Sequence, residues 1–128
     1  MMIDSTISAE LRKRLRDCVQ TGEREYACMA DFDSEFTGFE GHFEGNPIVP
    51  GVCLIELARV HAENALGCRL KTEEISQCRF RSPVLAGMTA AVKLQAAKPD
   101  DTHVKLQSEI RVDGNIACQV RLKAEIVP

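Results

Sequence analysis

A histidine and a carboxylate bracket one short, glycine- and proline-rich stretch of this 128-residue chain. His42 opens the segment His42-Phe43-Glu44-Gly45-Asn46-Pro47-Ile48-Val49-Pro50-Gly51, and Glu56 follows among Val52, Cys53, Leu54, Ile55, Leu57 and Ala58. Pro50 and Gly51 suit a helix start, because the N–H that proline lacks would have no partner there anyway. An ionised carboxylate inside an apolar helix is costly unless it is paired or at work. A loop imidazole to take a proton, a carboxyl to give one and helix-start N–H groups to hold a developing oxyanion form a set suited to moving protons beside a carbonyl. Each residue alone also has a plainer reading: His42 as a capped loop histidine, Glu56 as a solvent-facing residue at a helix end.

The elements that must position this pair are legible from periodicity. Gly51 to Leu66 is apolar over most of its circumference, which predicts a buried helix. At 1.5 Å per residue its sixteen residues span about 24 Å, a length that a curved sheet of five or six strands would wrap. Before it, Ser8 to Val19 predicts a short amphipathic helix with Leu11, Leu15 and Cys18 or Val19 on one face and Arg12, Lys13, Arg14 and Arg16 solvated. Residues 24–32 alternate, with Tyr26, Cys28, Ala30 and Phe32 on one side, and residues 38–50 read as loop with a brief strand. Four strand signals follow the buried helix: Ile75 to Arg81, Thr89 to Lys98, His103 to Val112 and Ile116 to Ile126. Asp113-Gly114, or Gly114-Asn115, marks a hairpin between the last two. The pattern is α+β: an antiparallel sheet plus one buried helix.

Composition bounds the function. With 45% hydrophobic residues, the chain has apolar material for one core, and a single domain over 1–128 is expected. No run of eighteen apolar residues and no charged-then-apolar start is present, so neither a membrane span nor a signal peptide is expected, and the chain reads as cytoplasmic. The six cysteines are scattered without Cys-x-x-Cys spacing and read as reduced thiols, with Cys53 as core filling. A net charge of −3 argues against a nucleic-acid partner and requires any acidic protein partner to dock on a local basic patch. His61 and His103 show no metal-ligand arrangement with nearby acids in the sequence, so no metal is expected.

Three strings carry a family resemblance. His42-Phe43-x-Gly45-x-Pro47-Ile48-x-Pro50-Gly51-Val52-x-x-Ile55-Glu56 resembles the signature of bacterial 3-hydroxyacyl-acyl-carrier-protein dehydratases of the FabZ/FabA type. Arg79-Phe80-Arg81-Ser82-Pro83-Val84-Leu85-Ala86-Gly87 is similar to a second segment of that family, and Val112 to Cys118 resembles its last hairpin. The resemblance, running from about residue 38 to 127, implies a hot-dog fold, an antiparallel curved sheet wrapped around one long central helix. It implies dehydration of a (3R)-hydroxyacyl thioester to the trans-2-enoyl thioester, in fatty acid or related lipid and secondary-metabolite biosynthesis. His42 would be the base and Glu56 the acid, kept protonated by apolar surroundings. The N–H of Val52, with Gly51, would receive the thioester oxygen, and Gly51 would let substrate approach the backbone. The Ile48 carbonyl would orient the histidine ring, and Phe80, Pro83, Val84 and Leu85 would border the acyl tunnel. No cofactor is implied beyond the phosphopantetheine carrying the substrate. The implied partners are acyl carrier protein, with Arg79 and Arg81 as candidate contacts, and a second copy of the chain, since in this family the histidine of one subunit faces the acid of the other; higher oligomers also fit.

The chain departs from the family at Leu57 and Val60, at Ala86-Gly87-Met88, and in an N-terminal arm without the Arg-Tyr-Pro-Phe-Leu segment. Acyl chain length, carrier and pathway therefore stay open. So do three other readings: a hot-dog thioesterase, a hydratase of coenzyme A thioesters and a non-catalytic acyl-binding protein.

Overall fold

The computed structural model describes residues 5–36 and 48–128, so His42 and most of its loop lie outside the described residues. Two helices and six strands follow in the order α1 (Ser5–Arg14), β1 (Leu15–Gly22), β2 (Glu25–Phe32), α2 (Gly51–Leu66), β3 (Arg69–Phe80), β4 (Met88–Ala97), β5 (His103–Val112) and β6 (Asn115–Val127). The strands form one antiparallel sheet in the order β1-β2-β4-β5-β6-β3. Helix α2 packs against β1, β3, β4, β5 and β6, strands that span the sheet from edge to edge. A sheet that meets one helix along so many strands must curve around it, and this is the hot-dog architecture. Among the described residues, no helix is long and apolar enough to cross a membrane.

Alternation builds the core as expected. Register places Val92 opposite Ile110, Leu94 opposite Ser108 and Ala96 opposite Leu106, and β6 continues these rows with Cys118, Val120 and Leu122. All face α2, whose Leu57, Ala58, Val60 and Ala62 are fully buried. Burying a Leu or Val side chain contributes about 1.5–3 kcal/mol, so this one interface dominates stability. The β5–β6 turn settles on Asp113-Gly114: both residues have positive φ, 51° and 79°, as a two-residue turn of the right hand requires. Helix α2 has the expected bounds. It starts after Pro50 and stops at Gly67, whose left-handed φ of 67° lets its N–H reach the Glu63 carbonyl at 2.9 Å.

Two expectations fail. The first helix ends at Arg14, and Leu15 to Gly22 is a strand on β2. The periodicity is satisfied only by Leu11, which is fully buried, and by the partly buried Leu15; Val19 is 55% exposed. Pairing along the free edge of β2 outweighs it. Arg14 donates to the Asp31 carbonyl and to Asp33, and Arg16 grips both Asp31 oxygens at 2.6 and 3.1 Å. A bulge with Asp17 at φ 53° absorbs the misfit. The second failure is β3, which begins at Arg69 rather than Ile75. Residues 69–74 pair with β6 on one side only and bulge between Thr72 and Glu74, so their side chains carry no two-residue alternation to detect.

Candidate active site

The described part of the first motif string, residues 48–56, meets the second string at the N-terminus of α2, and the second string meets the third. The Val49 N–H donates to the Val84 carbonyl at 2.7 Å, and Ile48 bridges Leu85, which ties the segment before the helix to the second string. Arg81 and Ser82 donate their N–H groups to the Ala117 carbonyl at 2.8 and 3.3 Å, bringing in the third. The Phe80 ring lies directly over the helix start: a Cβ on Gly51 would sit 2.5 Å from its Cζ. Close approach to Gly51 is thus made by this chain's own aromatic ring. Phe80 remains 54% exposed and Ile48 42% exposed, Pro83 is exposed, and Val84 is fully buried. The Cys53 and Leu54 N–H groups turn back to the Pro50 carbonyl, at 2.9 and 3.3 Å. Those of Gly51 and Val52 have no backbone partner among the described residues, as a helix start leaves them.

Glu56 lies in the second turn of α2 with 8% of its surface exposed. Its surroundings are not apolar, contrary to expectation. Ser8 of α1 donates to Oε1 at 3.0 Å, and Arg59 donates to the same oxygen through Nε at 2.7 Å and through Nη2. Arg59 also reaches the Leu70 carbonyl at 3.0 Å and Glu63 at 2.8 Å, while Glu63 accepts from the Leu70 N–H and from Arg12. The charges form a chain joining α1, α2 and β3. The pattern Glu56, Arg59, Glu63 has i,i+3 and i,i+4 spacing, so the guanidinium was findable in the sequence. Ser8 was not, because α1 reaches Glu56 only through the fold.

The other titratable groups divide by burial. The Cys53 thiol, pushed up to about 11 chiefly by burial, fits its core position. His61, on α2 and 1% exposed, has no hydrogen-bond partner for Nδ1 among the described residues, and burial pulls it down to about 4. His103 has acids around it in the fold that the sequence spacing did not show. Its Nε2 lies 3.2 Å from Glu73 and its Nδ1 3.1 Å from Asp100, and Glu73, His103 and Glu125 bring ligand atoms within 4.8 Å of one another. The register pairs His103 with Glu125, and Glu73 lies in the β3 bulge, a placement that no local pattern announces. A groove of about 640 Å³ opens elsewhere, on the outer face of the sheet among Lys93, Gln95, Gln107, Glu109, Gln119 and Arg121. It contains no motif residue near the helix start, so the chemistry is sought at α2.

Comparison with known proteins shows the family. Residues 18–121 match the ApeI-like family, described as ApeI dehydratase. The chain is 34% identical over 101 residues to the 3-hydroxyacyl-[acyl-carrier-protein] dehydratase FabZ of Aliarcobacter butzleri, covering 70% of this chain and 69% of that protein. It is 33% identical over 122 residues to FabZ of Campylobacter fetus, covering 85% and 82%. Against the bifunctional LpxC/FabZ of Chlorobaculum tepidum it is 32% identical over 97 residues but spans only 21% of that longer protein. Among solved structures, the dehydratase heterocomplex ApeI:P from Xenorhabdus doucetiae superposes with a TM-score of 0.75 at 22% identity, over 87% of this chain and 96% of that one. The PaaI protein of E. coli superposes at 0.67 and 18%, over 94% and 88%. At these identities the two superpositions speak for the fold, and the family rests on the sequence matches: this chain belongs to the ApeI-like dehydratases, hot-dog enzymes related to FabZ.

Proposed function

We propose that this dehydratase converts a (3R)-hydroxyacyl thioester, carried on the phosphopantetheine of an acyl carrier protein, to the trans-2-enoyl thioester and water. The observation that carries the reading is the contact of the second motif string with residues 48–51 at the α2 N-terminus, with the Glu56 carboxyl one turn below it. His42 takes the C2 proton, and the C–H electron pair becomes the C2=C3 bond. The C3–O bond breaks, its pair stays on oxygen, and Glu56 supplies the proton that completes water. The Val52 N–H, joined by Gly51, faces the thioester oxygen as negative charge builds there. The imidazolium then returns its proton to the carboxylate. Phe80, Pro83 and Leu85 line the approach of the acyl chain over the buried Val84, and Arg79 and Arg81, both exposed, offer positive charge to an acidic carrier.

We further propose that two copies share each site, with His42 of one subunit facing Glu56 of the other. The free β3 edge, with Ile75 and Phe80 exposed on it, supports a two-fold seam. Unfolding and refolding His42→Ala with Glu56→Gln in equal amounts tests this. Random pairing makes half the dimers mixed, each with one intact site, so activity should return to about a quarter of wild type. No recovery, with mixed dimers present, removes the shared site. A chain inactive alone but active with a different hot-dog subunit would replace self-pairing by a heterocomplex.

A further inference from the structure

Every donor that reaches Glu56 among the described residues reaches the same oxygen. Ser8 Oγ, Arg59 Nε and Arg59 Nη2 all converge on Oε1, and none contacts Oε2. Arg59 is itself held from behind, by the Leu70 carbonyl and by Glu63, and its side chain is 13% exposed. A guanidinium fixed at two further points is a rigid donor, pre-organised where it stands. The carboxyl it grips is therefore oriented, with Oε1 the oxygen that the described residues hold.

We propose that Arg59, seconded by Ser8, is a positioning residue of the dehydration: it anchors Oε1 so that Oε2 is the oxygen that exchanges the proton with the leaving hydroxyl. This rests on the reading of Glu56 as the acid. When the proton passes from Oε2 to the departing oxygen, the carboxyl becomes a carboxylate. The bonds from Arg59 and Ser8 strengthen at that moment, because a charged acceptor binds a donor more tightly than a neutral one. An interaction that is stronger in the transition state than in the ground state raises kcat and leaves substrate binding nearly unchanged. Arg59 also works beyond its own element: Leu70 lies at the start of β3, next to Arg69, and Ser8 lies on α1, so the acid's orientation is set by packing between three elements.

The test uses the full chain and short-, medium- and long-chain (3R)-hydroxyacyl thioesters of N-acetylcysteamine, with kcat, KM and melting temperature measured for each variant. Arg59→Ala should lose about ten- to a hundredfold in kcat, the worth of one charge-assisted hydrogen bond, with KM little changed. Millimolar guanidinium should restore part of that loss. Arg59→Lys keeps a charge but cannot place two nitrogens on one oxygen, so it should fall between Arg59→Ala and wild type. Should Arg59→Ala not fold, Arg59→Lys and Ser8→Ala carry the test, each expected to lower kcat several-fold at constant KM. A folded Arg59→Ala or Arg59→Lys with wild-type kcat overturns the proposal, as does a loss that appears in KM alone. Glu56→Gln run alongside separates the two failures. If it keeps wild-type turnover, the acid itself is misassigned; if it is inactive while the Arg59 variants are normal, only the positioning role falls.

Discussion

Helix α2 buries a titratable group on each of two faces and treats them in opposite ways. On the face under α1, Glu56 is met by Ser8 and Arg59, and the charge network runs on to Glu63, Arg12 and Leu70. On the face toward the core, His61 is more deeply buried, yet among the described residues neither its Nδ1 nor the Ser108 hydroxyl of β5 has a hydrogen-bond partner. An unpartnered buried polar group costs about 1–3 kcal/mol, whereas a partnered one is close to neutral. One face therefore invests structure in holding a carboxyl, and the other leaves a polar group without a partner among the described residues. A carboxyl held by three donors from two elements is the one placed for chemistry.

The largest effect should come from breaking the held face. Glu56→Gln preserves shape and most hydrogen bonds but cannot give up a proton, so dehydration should fall by about 10²- to 10⁴-fold while the circular dichroism spectrum stays native. Near-normal turnover would reduce the network to a structural clamp. His42→Ala is expected to show a loss of the same order, measured by formation of enoyl thioester.

The neutral face should reveal itself on acidification. His61 sits near 4 in the folded protein and near 6.5 when unfolded, so between those values the unfolded chain binds more protons. Stability should thus be full above pH 6.5 and drop as pH falls toward 4, by about 3 kcal/mol from this one group. His61→Leu should remove that slope and raise the melting temperature at neutral pH, because it also removes the orphan. An unchanged pH slope in His61→Leu would assign the acid sensitivity elsewhere.

Smaller effects sharpen the contrast at the helix start. Gly51→Ala gains helix propensity but drives a Cβ into the Phe80 ring, which is free to swing because it is largely exposed. The melting temperature should change by no more than the equivalent of about 1 kcal/mol. Turnover should nevertheless fall, and Phe80→Leu in the same chain should recover part of it. If Gly51→Ala is fully active, the position of Phe80 does not matter to the site.

The smallest effect belongs to His103, which is the mirror of His61. Its hydrogen bond to Asp100, then the Asp100 and Glu73 charges, raise it above the ordinary histidine value. Its contribution should be present below pH 6.5 and vanish as pH rises through the raised value, the opposite direction to His61. His103→Gln should flatten that part of the stability–pH curve, as read by chemical denaturation. Solvent screening at this exposed site keeps the change small.

The sequence alone determined the elements whose signals are local. Pro50 and Gly51 marked the start of α2, residues 113–115 marked the hairpin, the alternation from His103 to Val112 delimited β5, and the strings around Gly51 and Phe80 lie together at the start of the helix. Tertiary structure decided whatever depends on a distant partner. Leu15 to Val19 carry a helical spacing yet form a strand, because the edge of β2 offers main-chain hydrogen bonds and two aspartates that a solvated helix cannot. The start of β3 is polar and patternless and exists because β6 is long enough to pair with it. Glu56 stood in the sequence as an acid among apolar residues with Arg59 three positions on, and only folding added the Ser8 hydroxyl from another helix. Periodicity records which face of an element is buried; it does not record what waits on the other side of that burial, and for a charge that partner sets the chemistry.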